Sequence, residues 1–260
     1  MNMRDKVVVV SGTGPGLGHD LARSFARAGA RLVLLARSTE RVHELRQELA
    51  AAGTTCIAVP TDITRASDCD RVRTEALQAF GHIDVLINNA FQLGPLAPLA
   101  SAALDEEWRA ALDTNLIGTL QLTQALVPAL AASRGNVVMI NTAAMRDIRP
   151  GFGSYAISKG ALQTATRYLA QELGPQGVRV NSLVPSYIDG PPLRDAFAAM
   201  AQARGVSTDT VIEEACAALP LRFIPTGEDV ARAALFLASD DARAITGASL
   251  DVNAGRYIPL

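Results

Sequence analysis

The stretch from Val7 to Gly18 restricts what this chain can fold into more than any other. Val7 to Val10 are β-branched and apolar in succession, which suits a strand buried on both faces. Ser11-Gly12-Thr13-Gly14-Pro15-Gly16-Leu17-Gly18 follows directly, and Leu21, Phe25 and Ala28 then fall on one face of a helix. Strand, glycine-rich turn and helix in that order let the backbone approach a pyrophosphate seated on the helix N-terminus. Gly12, Gly16 and Gly18 fit TGxxxGxG, with Ser11 in place of the threonine, and not the GxGxxG spacing.

Apolar runs near residues 6–11, 31–36, 55–60, 83–88, 136–142, 178–184 and 248–253 alternate with helical patterns. That alternation predicts an α/β fold: a single-domain, Rossmann-type, doubly wound parallel sheet of about seven strands with helices on both faces. Ligands of such sheets bind beyond the carboxyl ends of the strands, so Gly12, Arg37, Asp62, Asn89, Thr142 and Pro185 are expected to converge there. A chain of 260 residues, 49% of them apolar, can bury one large core, and no linker, charge run or repeat divides it, so residues 1–260 are read as one domain. The net charge of −2 gives no hint of nucleic acid. The first apolar stretch is too short for a signal peptide or a membrane span, which leaves the cytoplasm as the expected location. Cys56, Cys69 and Cys216 are odd in number and far apart, as reduced thiols would be, and His19, His43 and His82 are each isolated; no metal site is expected.

Chemistry enters at Tyr155 and Lys159, four residues apart in a helical pattern, where one turn stacks a phenol and an ammonium on the same face. A phenol with a pKa of about 10 is a weak proton shuttle at neutral pH unless a cation stabilises its phenolate, as Lys159 is placed to do. A second signal closes the second strand, Leu34-Leu35-Ala36-Arg37-Ser38. Sites that prefer NAD carry an acid there for the ribose hydroxyls. Here that position is Ala36, and Arg37 and Ser38 supply a planar fork and a hydroxyl suited to a 2′-phosphate. The other reading of Arg37 is stacking on adenine or exposure to water.

Together these residues resemble the short-chain dehydrogenase/reductase family along essentially the whole chain. Asn88-Asn89-Ala90 stands where that family has NNAG, Asn115 where its catalytic asparagine lies, and Thr142, thirteen residues before Tyr155, where its catalytic serine lies. Arg179 to Pro185 and Ile245 to Gly255 match its sixth and last strands. The resemblance implies hydride transfer between a nicotinamide and an alcohol or ketone. Tyr155 would be the general acid/base, Lys159 would lower the phenol pKa and hold the nicotinamide ribose, Thr142 would bond the substrate oxygen, and Asn115 would bend its helix. The implied cofactor residues are Ser11, Gly12, Gly16, Leu17, Gly18, Arg37, Ser38, Asp62, Ile63, Asn89, Ala90, Tyr155, Lys159, Pro185 and Ile188, with NADP preferred and NAD possible.

Four positions depart from the family pattern: Thr142 for serine, Phe91 for the glycine of NNAG, Ser186 for the glycine after Pro185, and Gly190 for a threonine that often holds the carboxamide. Residues 189–222 interrupt the alternation and by resemblance form a substrate lid. Leu193, Phe197, Met200, Val211 and Ile212 recur at helical spacing, which suits ordinary packing or the lining of a pocket, and with Phe91, Leu93, Phe152 and Tyr187 they predict a lipophilic pocket for a small-molecule substrate. Arg146 and Arg149 are read as a solvated loop in preference to a receptor for an acidic group. Helical patterns from Leu104 to Ala132 and from Ser154 to Leu173 carry Leu116, Leu120, Leu126, Leu162, Tyr168 and Leu169, more apolar surface than one sheet face covers. In the family that the chain resembles, these two helices form one interface and the tail, here Asp251 to Leu260, a second, and the resemblance therefore implies a homotetramer. The alternatives are a catalytically weak cofactor-binding subunit for assembly or sensing, and an epimerase or dehydratase on the same fold.

Overall fold

The computed structural model describes residues 1–258, so Pro259 and Leu260 of the tail expected to join subunits lie outside the described residues. Seven strands form one parallel sheet: β1 (Val7–Ser11), β2 (Arg31–Ala36), β3 (Cys56–Pro60), β4 (Val85–Asn88), β5 (Asn136–Ile140), β6 (Arg179–Pro185) and β7 (Ser249–Val252). The strand ends differ from the sequence reading by one or two residues, the ordinary slack at element termini. The order is β3-β2-β1-β4-β5-β6-β7. It reverses between β1 and β4, which opens a crevice at their carboxyl ends.

Alternation along each strand sends side chains to two cores. Val8, Val10, Leu32 and Leu34 pack under α1 (Leu17–Arg27), α2 (Thr39–Ala51) and α9 (Gly227–Ala238), where Leu21, Phe25, Leu45 and Val230 meet them. Val7, Val9, Val33 and Leu86 face the other way, onto Val72 of α3 (Ala66–Phe80), Leu122 and Leu126 of α5 (Thr119–Ser133) and Leu162 of α6 (Gly153–Leu173). The sheet is therefore covered on both faces.

α4 (Glu106–Leu112) runs into α5 through a π-helical turn, Asp113–Gly118. The composite helix Glu106–Ser133 is long and apolar enough to cross a membrane by length and composition, and here it packs against α3 and α6. Within residues 189–222 the chain forms α7 (Pro191–Arg204) and α8 (Thr208–Ala217), joined through buried Phe197, Ala201 and Val211. Met200, expected on the apolar face, is exposed.

Candidate active site

At the end of β1, the buried Ser11 Oγ accepts from the backbone N–H groups of Asn89 (3.1 Å) and Ala90 (3.2 Å). Asn89 Nδ2 donates to Gly12 O at 2.8 Å, which ties the ends of β1 and β4 around the turn. Ser11 and Asn89 thus shape the site with their side chains. A Cβ on Gly12 would lie 2.6 Å from Ala90 Cα, and one on Gly18 would lie 2.2 Å from Gly12 O, so both positions are closed to any side chain. Gly16 has φ 93° with open space beside it, and no side chain caps α1, which Leu17 begins. The first amides of α1 therefore face an open cradle, which fits a pyrophosphate.

Beyond the turn, Arg37, Asp62, Thr64, Gln92, Thr114 and Gln121 help to line an open cavity of about 470 Å³ between the ends of β2, β3 and the π turn. Arg37 is exposed. Burial raises the Asp62 pKa, but hydrogen bonds from Thr64, with Arg65 and Arg37 nearby, outweigh it and hold the carboxyl below its ordinary value. Ser38 caps α2, its Oγ accepting from Arg41 N at 3.4 Å, and its hydroxyl proton stays free to donate. Ile63, next to Asp62, is buried and close to Gly118. Cradle and cavity together suit a dinucleotide.

The other end of the crevice carries the candidate chemistry. Ile140 pairs with Leu183, so Thr142 and Pro185 leave the sheet side by side. Pro185 is buried at the end of β6, and Ile188 packs against the core just beyond it. Tyr155 and Lys159 lie on α6, and the Lys159 side chain is fully buried, its Nζ donating to Ile140 O at 2.8 Å. Burial pushes the Lys159 pKa down to about 7. It pushes the Tyr155 phenol up to about 12, and the neighbouring Thr142 hydroxyl pulls weakly the other way. The lowering of Tyr155 by Lys159 expected from the sequence is not among the causes of its shift. Thr142 Oγ1 also accepts from Ala144 N at 3.2 Å.

Asn115 sits buried in the π turn, where such turns often mark functional sites. Its Nδ2 donates to Gln92 O (2.8 Å) and Ser158 Oγ (2.9 Å), and its Oδ1 accepts from Gln92 N (2.8 Å). Ser158 Oγ in turn donates to Tyr155 O, so Asn115 joins the loop after β4 to the helix that carries Tyr155 and Lys159. Phe91 is 57% exposed, with its ring 6.0 Å from that of Tyr155. It therefore forms a wall of the crevice rather than filling core.

Several arrangements were not read from the sequence. Arg146 and Arg149 are not a solvated loop: both are half-buried, Arg146 on Asp251 and Arg149 on Asp147. Arg256, which also binds Asp147, was not singled out. The only sequence signal was the run Arg146-Asp147-Ile148-Arg149 between two candidate catalytic residues. His82 is also less free than expected, lying 3.1 Å from Asp84. Among the described residues no group of three or more His, Cys, Asp or Glu side chains is placed to hold a metal ion.

Comparison with known proteins matches the same span. The family model described as enoyl-(acyl carrier protein) reductase covers residues 12–256. The oxidoreductase UcpA of Salmonella typhimurium is 31% identical over 258 residues, 98% of this chain and 95% of the relative. The L-fucose dehydrogenase of Oryctolagus cuniculus is 34% identical over 250 residues, 96% of this chain and 84% of the relative. The crystal structure of L-sorbose reductase from Gluconobacter frateurii, complexed with NADPH and L-sorbose, aligns with TM-score 0.93 and 26% identity over 100% of this chain and 99% of that one.

Proposed function

The chain belongs to the short-chain dehydrogenase/reductase family, and from that premise we propose that it is an NADP(H)-dependent oxidoreductase interconverting a lipophilic alcohol and its ketone, with Tyr155 as general acid/base. The observation that carries this reading is the meeting of Tyr155, Lys159, Thr142 and Asn115 at the sheet edge that also holds the glycine cradle. The nicotinamide, when bound, supplies or accepts the hydride. A carbonyl oxygen gaining negative charge needs a proton from a group within hydrogen-bond reach, and Tyr155 donates it. Thr142 orients that oxygen through its hydroxyl, and Lys159 favours the tyrosinate left behind while holding ribose hydroxyls. Gly12, Gly16, Leu17 and Gly18 hold the pyrophosphate by backbone, with Ser11, Asn89 and Ala90 behind them. Asp62 accepts from the adenine amine and Ile63 flanks the ring, and Pro185 and Ile188 bound the nicotinamide end. Alcohol oxidation uses the same groups in reverse. The half-buried thiols Cys56 and Cys216 and the buried Cys69 are free, in keeping with a cytoplasmic setting.

A screen of alcohols and carbonyls followed at the nicotinamide absorbance with both cofactors tests the reading; silence across the screen would favour a cofactor-binding subunit instead. Cofactor choice is tested at Arg37. Arg37→Ala should weaken NADPH binding by about 2 kcal/mol more than NADH binding, since it removes a charge-assisted phosphate contact. Equal weakening would mean that Arg37 stacks on adenine.

We read residues 189–222 as the substrate lid and the assembly as a homotetramer. Leu126 and Leu162 are buried inward, whereas Ile117, Ile157 and Tyr168, the last 67% exposed, leave apolar surface on the outer faces of the two long helices. β7 is a half-exposed edge strand. Two self-complementary surfaces on one chain close into a tetramer. Light scattering should give four times the 27.4 kDa chain mass; a dimer mass would leave one interface standing, and a monomer mass neither.

A further inference from the structure

Among the described residues, two arginines beside Tyr187 share a single carboxylate. Arg149 lies between β5 and α6, Tyr187 just past β6 and Arg256 just past β7, so all three come from adjacent carboxyl ends of the sheet, the edge that carries Thr142. The guanidinium carbons of Arg149 and Arg256 are 4.6 and 4.7 Å from the centre of the Tyr187 ring. Both arginines draw on one carboxylate oxygen: Asp147 Oδ2 is 3.2 Å from Arg149 Nε and Nη2, and 2.6 Å from Arg256 Nε. Neighbouring charges are already matched, Arg146 by both oxygens of Asp251 at 2.8 Å and Asp189 by Arg194 at 2.9 Å. Arg149 Nη1 and both terminal nitrogens of Arg256 donate to no protein group among the described residues.

Two cations sharing one anion while only 21% and 20% exposed is an unfavourable arrangement unless something offsets the excess charge. The face of Tyr187 offsets part of it. The free N–H groups have the planar geometry that takes a carboxylate, bidentate and charge-assisted. Two apolar rings stand nearby: Phe152, three residues before Tyr155, lies 6.0 Å from the Arg149 guanidinium carbon, and Phe91 lies 6.0 Å from the ring of Tyr155.

Resting on the reading of Tyr155 as the reacting end, we propose that the substrate is an amphiphilic oxo acid or hydroxy acid. Its carbonyl or hydroxyl meets Tyr155 and Thr142, its hydrocarbon stretch lies along Phe91 and Phe152, and its carboxylate binds Arg149 and Arg256. The anion site thus selects the substrate and sets its direction in the crevice.

The test gives the whole chain, with NADPH and with NADH, a homologous series of straight-chain methyl-ketone acids and their methyl esters. At the best chain length the acid should exceed its ester in kcat/KM by about tenfold or more, the yield of a charge-assisted pair. Arg149→Met and Arg256→Met should raise KM for the acid and erase the preference, whereas Arg256→Lys, which keeps the charge and loses the planar fork, should fall between the wild type and Arg256→Met. Each single replacement leaves Asp147 one guanidinium partner. Independently of turnover, hexanoate should raise the melting temperature of the wild-type chain more than hexanamide does, and the two Met variants should lose that difference. Esters used as well as acids, Met variants that keep the preference, or hexanoate and hexanamide acting alike would overturn the proposal. Turnover of neutral ketones without turnover of any acid would overturn it while leaving the oxidoreductase reading intact. No oxidation of either cofactor by any carbonyl would overturn both.

Discussion

Tyr155→Phe is expected to lower kcat for carbonyl reduction by about a thousandfold, within the range for loss of a general acid, with NADPH binding nearly unchanged. The phenyl ring keeps the packing against Phe91 and removes only the hydroxyl. With a pKa raised to about 12, the phenol stays protonated through the physiological range and is ready to donate. Lys159 is the group that titrates near neutrality, at about 7. The kcat/KM for reduction, which reports the free enzyme, should therefore weaken as pH rises through that value and the ammonium is lost, and in kcat a bound anionic cofactor should move the fall to higher pH. Stability should move the opposite way. An unfolded lysine keeps its proton up to about 10.5, so between about 7 and 10.5 the unfolded chain binds more protons and folding gains stability with pH. Lys159→Met should accordingly be inactive yet melt higher than the wild type at pH values below that window, with the advantage fading above it. A near-normal rate in Tyr155→Phe would show that the assigned acid is wrong. A Lys159→Met melting curve lying below wild type under mildly acidic conditions would show that the buried amine stabilises the fold.

The two ends of the crevice differ in how much of them could be read from the chain. The cradle was legible because it is local: strand, glycines and helix are contiguous, and Gly12 and Gly18 answer to contacts within a few residues or at the adjacent end of β4. That Tyr155 and Lys159 stand one turn apart on a single helix was legible for the same reason. The charge cluster was not. Arg146 meets Asp251 across 105 residues and Asp147 meets Arg256 across 109, and only the sheet order brings the ends of β5, β6 and β7 together. The direction of the titration shifts was hidden too, because burial acts on Tyr155 and Lys159 more strongly than they act on each other. Phe91 shows the remaining kind of ambiguity. An aromatic residue after a strand reads equally as core or as wall, and its exposure beside Tyr155 decides for the wall.

Gly18→Ala is expected to damage fold and cofactor binding together. A Cβ there would sit 2.2 Å from Gly12 O and 2.9 Å from Thr13 Cα, both backbone atoms that no side-chain rotation can move aside. α1 would have to lift away from the turn, and α1 also packs on α9 through the core that holds Leu21 and Phe25. A forced backbone shift of this kind costs about 1–3 kcal/mol. The displaced amides at the start of α1 would also lose their aim at a pyrophosphate, so the dissociation constant for NADPH should rise by at least about tenfold. Gly14 is the internal comparison: it lies in the same turn, yet nothing stands within 4 Å of the place its Cβ would take. Gly14→Ala should therefore keep the wild-type melting temperature. Equal melting temperatures for Gly14→Ala and Gly18→Ala would mean that the turn relaxes freely, and close packing of α1 on the turn would then not be what requires glycine at position 18.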